Sequence, residues 1–113
     1  MSDTKENNAV NAMQVTISKE GGNAELKLSG RFDFKAHRNF LAAYESSLAD
    51  NKISSVTINM AGVVYMDSSA LGMLLILREK AAAANKTLKL SNVRGAVKNV
   101  LDIANFNKLF IFV

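Results

Sequence analysis

Near the start of the chain, polar and apolar residues alternate one for one in two short stretches. In "MQVTIS" the apolar positions are Met13, Val15 and Ile17, and in "AELKLSG" they are Ala24, Leu26 and Leu28. A period of two sends successive side chains to opposite faces, so each stretch predicts a strand with one apolar face. The glycines of "KEGGN" between them suit a tight connection, and together the three pieces predict a hairpin.

The period then lengthens. In "KAHRNFLAAYESSLADN" the residues Phe40, Leu41, Tyr44 and Leu48 fall on one side of a 3.6-residue helix. "SVTINM" returns to alternation, with Val56 and Ile58 facing one way and Thr57 and Asn59 the other. "AGVVYMD" is expected to be a loop that still carries apolar residues, followed by a helix from about Ser68 to Ala84. "TLKLSNV" predicts a strand, "RGAVKNVLDIANF" a helix with Val97, Val100, Leu101 and Ala104 on one stripe, and "KLFIFV" a last strand. That strand is apolar without alternation, which suits cover on both faces or a place at an edge.

The predicted order is therefore β-β-α-β-α-β-α-β. Helices between strands imply crossover connections, and hence an α/β fold. Its sheet should be mixed but mostly parallel, of about four to five strands packed with three to four helices. The opening "MSDTKENNAVNA" is polar, rich in Asn and without period, so residues 1–12 read as a flexible tail and 13–113 as one domain.

Composition narrows the function. Hydrophobic residues make up 49% and charged residues 21%, the balance of an ordinary folded domain. Without cysteine there are no disulfides, zinc–cysteine sites or thiol nucleophile. The start lacks a basic region followed by an apolar run, and no apolar stretch approaches the roughly 20 residues of a membrane helix, so the expected location is cytoplasmic. The net charge of +4 comes from fourteen Lys and Arg residues of which no two are adjacent. Such dispersed charge lacks the basic cluster of a nucleic-acid binder.

The chemistry worth attention stands at the start of the second helix, in "YMDSSALGMLLIL". Asp67 suits an N-cap, because its carboxylate accepts bonds from the unpaired N–H groups of the first turn. One residue suffices for that task, which leaves the Ser68 hydroxyl without a required structural partner. From Ala70 to Leu77 no side chain is polar, so the helix is apolar all round. Such a helix is either wholly buried or keeps part of its surface for a partner, here around Gly72 and Ile76. A phosphoryl group on Ser68 would add a charge of about −1.5 to −2 at a helix N-terminus, which tolerates it, beside that apolar patch. A partner that needs the patch dry would be released.

Three segments, in order, resemble the anti-sigma factor antagonist (anti-anti-sigma) type of STAS domain. "VVYMDSSALGMLLILREKA" is similar to that family's Asp-Ser-Ser/Thr-Gly-Leu-Gly signature, "LKLSGRFDFKAHRNF" to its strand ending in Gly-x-x-Asp, and "NVRGAVKNVLDIANFNKLFIF" to its last helix and strand. The resemblance runs from about Met13 to the C-terminus and implies the STAS fold. It also implies that Ser68 is the phosphoacceptor, that Asp67 is the acid beside it, and that Asp33 takes part in partner or kinase recognition. Ser69 falls where the family has Ser or Thr with a secondary role. Ala70 stands where the family has glycine. Unphosphorylated, such a protein binds an anti-sigma factor or serine kinase that supplies ATP; a serine phosphatase resets it.

The full expectation is a cofactor-free, non-enzymatic protein, a monomer or weak dimer, that works by partner switching. Its partner surface would comprise Asp33, Met66, Asp67, Ser69, Gly72 and Ile76. The alternative is a constitutive STAS scaffold subunit of a larger complex, such as a lipid transporter, in which Ser68 does not switch. Other chemistries fit less well. A hydrolase nucleophile at a strand-to-helix turn needs Gly-x-Ser-x-Gly, whereas Met66 and Ala70 flank Ser68, and the single histidine, His37, reads as a surface residue. "KEGGN" has no following helix to cradle a phosphate, and one His without Cys or clustered acids makes no metal site. Met60 and Met73 read as core filler, and Asn92 and Arg94 as a cap and a solvated side chain.

Overall fold

The alternating stretches at the start fold back on each other. In the computed structural model, which describes residues 12–113, β1 (Gln14–Glu20) pairs antiparallel with β2 (Asn23–Phe32). Gly21 and Gly22 make the turn with φ of 58° and 82°, the left-handed region that glycine enters without a Cβ clash. β3 (Ser55–Met66), β4 (Thr87–Ser91) and β5 (Ile111–Phe112) then add in parallel, so the strands lie in chain order from β1 to β5. Parallel neighbours need crossovers. These are supplied by α1 (His37–Ala49), α2 (Ser68–Ala83) and α3 (Gly95–Ile103).

One sheet face builds the core. Ala24, Leu26 and Leu28 of β2, Val56, Ile58 and Met60 of β3, and Leu88 and Leu90 of β4 are buried against Phe40 and Tyr44 of α1 and Leu74 and Leu77 of α2. Phe32, Phe40 and Tyr44 form a chain of tilted and edge-on rings with centroids 5.0 and 5.2 Å apart. The intervening strand residues are polar and bond to one another across strands. Ser55 and Thr57 donate hydroxyl bonds to Asn23 Oδ1 at 2.7 and 3.2 Å. Buried Asn59 donates to Glu25 at 3.0 Å and accepts from Asn92 Nδ2 at 2.9 Å and from the Ala61 N–H at 3.0 Å.

Several expectations need correction. "AGVVYMD" is not a loop: β3 runs on through Met66, twelve residues in all. Its alternation is lost because the pairing with β2 shifts register between Lys27 and Ser29 and again between Gly30 and Arg31. Burial consequently falls at Met60, Val63 and Met66 rather than at every second residue. "KLFIFV" yields only the two-residue edge strand β5, because Phe106–Lys108 form a 3-10 turn and the Phe106 and Phe110 rings stack 5.0 Å apart. α3 stops at Ile103, where Asn105 just beyond the C-cap turns left-handed with φ of 62°. Asn92 is not a cap: it has φ of 56° and turns its side chain to Asn59, leaving Arg94 at the N-cap position without a side-chain bond. The predicted tail lies outside the described residues except for Ala12, which bridges to Arg31.

Candidate functional site

β2 and β3 end side by side. Phe32 pairs with Met66, and the Asp67 N–H donates to the Phe32 carbonyl at 3.3 Å. The next residue on each strand is an aspartate, and each does the same work. Asp33 Oδ1 accepts from the Lys35 N–H at 3.1 Å and caps a 3-10 turn, Phe34–Ala36, that leads into α1. Asp67 Oδ1 accepts from the Ser69 and Ala70 N–H groups at 2.9 and 3.2 Å and caps α2. Short acidic side chains reach back to first-turn N–H groups, which is why both elements start where they do.

Ser68 opens α2 with its side chain exposed and, among the described residues, without a hydrogen bond. Ser69 is half-buried, and Ala70 is fully buried in the core. The methyl that replaces the resembled family's glycine therefore points away from any partner. Farther along, Met73, Leu74, Leu77 and Ala81 are buried, whereas Gly72, Leu75 and Ile76 are exposed. With 3.6 residues per turn, Ser68, Gly72, Leu75 and Ile76 lie on one face. A Cβ on Gly72 would meet nothing within 4 Å. Met66 departs from its expected role, since at 7% exposure its side chain is part of the core and offers a partner no surface.

Sequence reasoning passed over Phe34, Val64 and Tyr65, which are 65%, 71% and 41% exposed. Tyr65 is covered on one ring face by the Arg31 guanidinium, 4.0 Å from its centroid. Arg31 Nε also lies 3.4 Å from Asp33 Oδ2, so one side chain links the last turn of β2 to the end of β3. The only sequence signal for Val64 and Tyr65 was an apolar run too long for its predicted loop. His37 is exposed at the start of α1, and the Asp33 carboxylate faces Lys35 and Arg31 instead of orienting it. A Ser68–His37–Asp33 triad is not assembled. Among the described residues no three His, Asp or Glu side chains are grouped to hold a metal, and no helix is long and apolar enough to cross a membrane.

Residues 15–112 match the family described as "Mlab, STAS domain". The chain belongs to the STAS-domain family. This STAS domain is 39% identical over 99 residues to a STAS-domain containing protein of Pseudomonas aeruginosa (strain UCBPP-PA14), covering 88% of this chain and 96% of that protein. Its fold is shared by an anti-sigma factor antagonist of Mycobacterium paratuberculosis, with a TM-score of 0.80 at 17% identity over 90% of this chain and 86% of that one. Phosphorylated SpoIIAA, a Bacillus cell fate determinant, superposes with a TM-score of 0.68 at 16% identity over 88% and 91% of the two chains. A sulfate transporter family protein of Wolinella succinogenes does so with a TM-score of 0.71 at 16% identity over 84% and 80%. The α/β fold with a five-stranded mixed sheet is thus the STAS fold of anti-sigma factor antagonists.

Proposed function

We propose that this STAS domain, residues 13–113, is a regulator of the anti-sigma factor antagonist kind that works by phosphorylation-controlled partner switching. One observation carries the reading: Asp67 alone supplies the α2 cap, so the Ser68 hydroxyl stands exposed and, among the described residues, unbonded at the head of an exposed, largely apolar stripe. Transfer of a phosphoryl group to Ser68 Oγ costs the fold no hydrogen bond seen here. It adds about two negative charges where the helix dipole tolerates them. The effect falls on whatever protein covers Gly72, Leu75, Ile76 and the neighbouring Asp33 loop.

In this reading the unphosphorylated protein binds an anti-sigma factor or serine kinase, which brings the ATP, and a serine phosphatase restores Ser68. The domain acts in the cytoplasm as a monomer or weak dimer, by binding rather than turnover, and needs no cofactor. The solved neighbours that are an anti-sigma factor antagonist and a phosphorylated protein of this fold are consistent with it.

A second reading, a constitutive scaffold subunit of a transporter complex, is favoured by the family's "Mlab" description and by the transporter neighbour. Binding of the cognate partner by Ser68→Ala and Ser68→Asp proteins separates the two, together with phosphate mapping in cells. A switch requires tight binding by Ser68→Ala and release by Ser68→Asp. If Ser68→Asp binds as tightly as wild type and Ser68 carries no phosphate, the scaffold reading replaces it.

A further inference from the structure

The chain that leaves β2 next to the Ser68 surface borders a shallow, open groove of about 510 Å³, lined by Phe34, Lys35, His37, Arg38 and Asn39. Its charge is one-sided. Arg31, Lys35 and Arg38 stand within eight residues of one another against the single acid Asp33. Asp33 is already engaged by Arg31 and by the Lys35 N–H. Neither the Lys35 nor the Arg38 side chain has a salt bridge among the described residues, where the pairs are Lys19–Asp50, Arg31–Asp33 and Lys98–Asp102. Beside these two exposed cations lies the Phe34 ring, 65% exposed. Two exposed cations beside an aromatic ring in a shallow strip suit a chain that brings both carboxylates and an apolar side chain.

We propose that this groove receives an acidic segment of a protein partner, with an apolar side chain of that segment against Phe34 and its carboxylates paired to Lys35 and Arg38. Lipid recognition by charge takes clusters of about four to eight cations, more than this strip holds. The proposal rests on the docking reading above only in taking the groove's occupant to be part of the partner that covers Ser68. Binding in the groove itself needs no phosphate.

The test uses the full ¹⁵N-labelled chain and a synthetic twelve-residue peptide of Glu and Asp around one Phe, with a control peptide carrying Lys at every acidic position. The acidic peptide is expected to shift amide signals around Phe34–Asn39 and the control to shift none. The Lys35→Glu/Arg38→Glu double variant replaces two exposed side chains, so its remaining spectrum should be unchanged while affinity falls about tenfold or more, ~1.4 kcal/mol. Equal binding of the two peptides, undiminished binding by the double variant, or shifts spread away from the groove would each overturn the proposal. So would sedimentation with phosphatidylglycerol vesicles that the double variant loses, which would assign the groove to lipid. Ser68→Asp serves to separate the two ideas. If the groove binds as expected while Ser68→Asp still holds the cognate partner, the switch fails and the groove stands.

Discussion

Asp67→Ala and Ser68→Ala, made one residue apart, should behave in opposite ways. Removing the Asp67 carboxylate strips the acceptor from two part-buried N–H groups, those of Ser69 and Ala70 at 2.9 and 3.2 Å. Loss of an N-cap costs about 1 kcal/mol, and loss of a negative charge at a helix N-terminus costs about 0.3–1 kcal/mol more. A combined figure of ~1.5 kcal/mol follows for Asp67→Ala. With 113 residues and an unfolding entropy of about 2.1 cal/mol/K per residue, Tm should fall by ~6 °C. Ser68→Ala removes an exposed hydroxyl with no partner among the described residues and should stay within about 0.5 kcal/mol of wild type, or ~2 °C. Asp67→Asn keeps an oxygen acceptor and should fall between the two. Urea titrations and thermal melts followed by circular dichroism measure all three. If Ser68→Ala costs as much as Asp67→Ala, the hydroxyl is itself holding the helix start and the division of labour proposed for these neighbours is wrong.

Other changes test the frame around the site. A Cβ on Gly62 would lie 2.9 Å from both the Leu28 carbonyl oxygen and the Ser29 Cβ, so Gly62→Ala should destabilise by about 1–3 kcal/mol. Because it disturbs the bulge that aligns Phe32 with Met66, it should also broaden amide signals around Asp33 and Asp67. Asn59→Ala leaves the Ala61 N–H, Asn92 and Glu25 without their shared partner and should lower stability by about 1–3 kcal/mol in urea denaturation. The Asp50 carboxyl is held below its ordinary value of 3.8, chiefly by the hydrogen bond from Lys19 and next by the Lys52 N–H. Its folded pKa thus lies below its unfolded one, so the stability it contributes is present above that ordinary value and is lost as pH falls through the folded pKa. Asp50→Asn should accordingly lose less stability than wild type on going from about pH 6 to about pH 3, measured by thermal melts.

Period located β2, α1, α3 and β4, because each of those elements has one buried face and one wet face; β1 alternates in sequence although none of its residues is fully buried, and α2, apolar all round, was placed by its cap and length instead. The second half of β3 escaped that reading. Two register shifts there break the twofold alternation, leaving Val64 and Tyr65 outward and Met66 inward within three residues. An apolar run reads as core when no period is left to say which side each residue faces, so the exposed Val64 and Tyr65 were invisible; Met66 was assigned to the partner surface for its place beside Asp67 and Ser68, and the structure buries it. "KLFIFV" misled in the opposite sense. Phe106 and Phe110 are spaced for one turn of helix-like backbone and are buried together, leaving too little chain for a longer strand. At the candidate site, Asp67 as a cap could be read directly, since capping depends only on local sequence. The second cap, at Asp33, is just as local but opens a short 3-10 turn instead of a periodic helix, whereas its tie through Arg31 to Tyr65 depends on which strand lies next to which.

Those two caps also bear on the timing of any complex. Each aspartate fixes the first turn after its strand before a partner arrives, and Arg31 binds the two strand ends together. A surface set in advance leaves little ordering to be completed after contact, so encounter should proceed at the rate set by collision and orientation. A charge placed on Ser68 would then register chiefly in how long the complex lasts rather than in how fast it forms. The rigid strand ends would make phosphorylation a control over residence time.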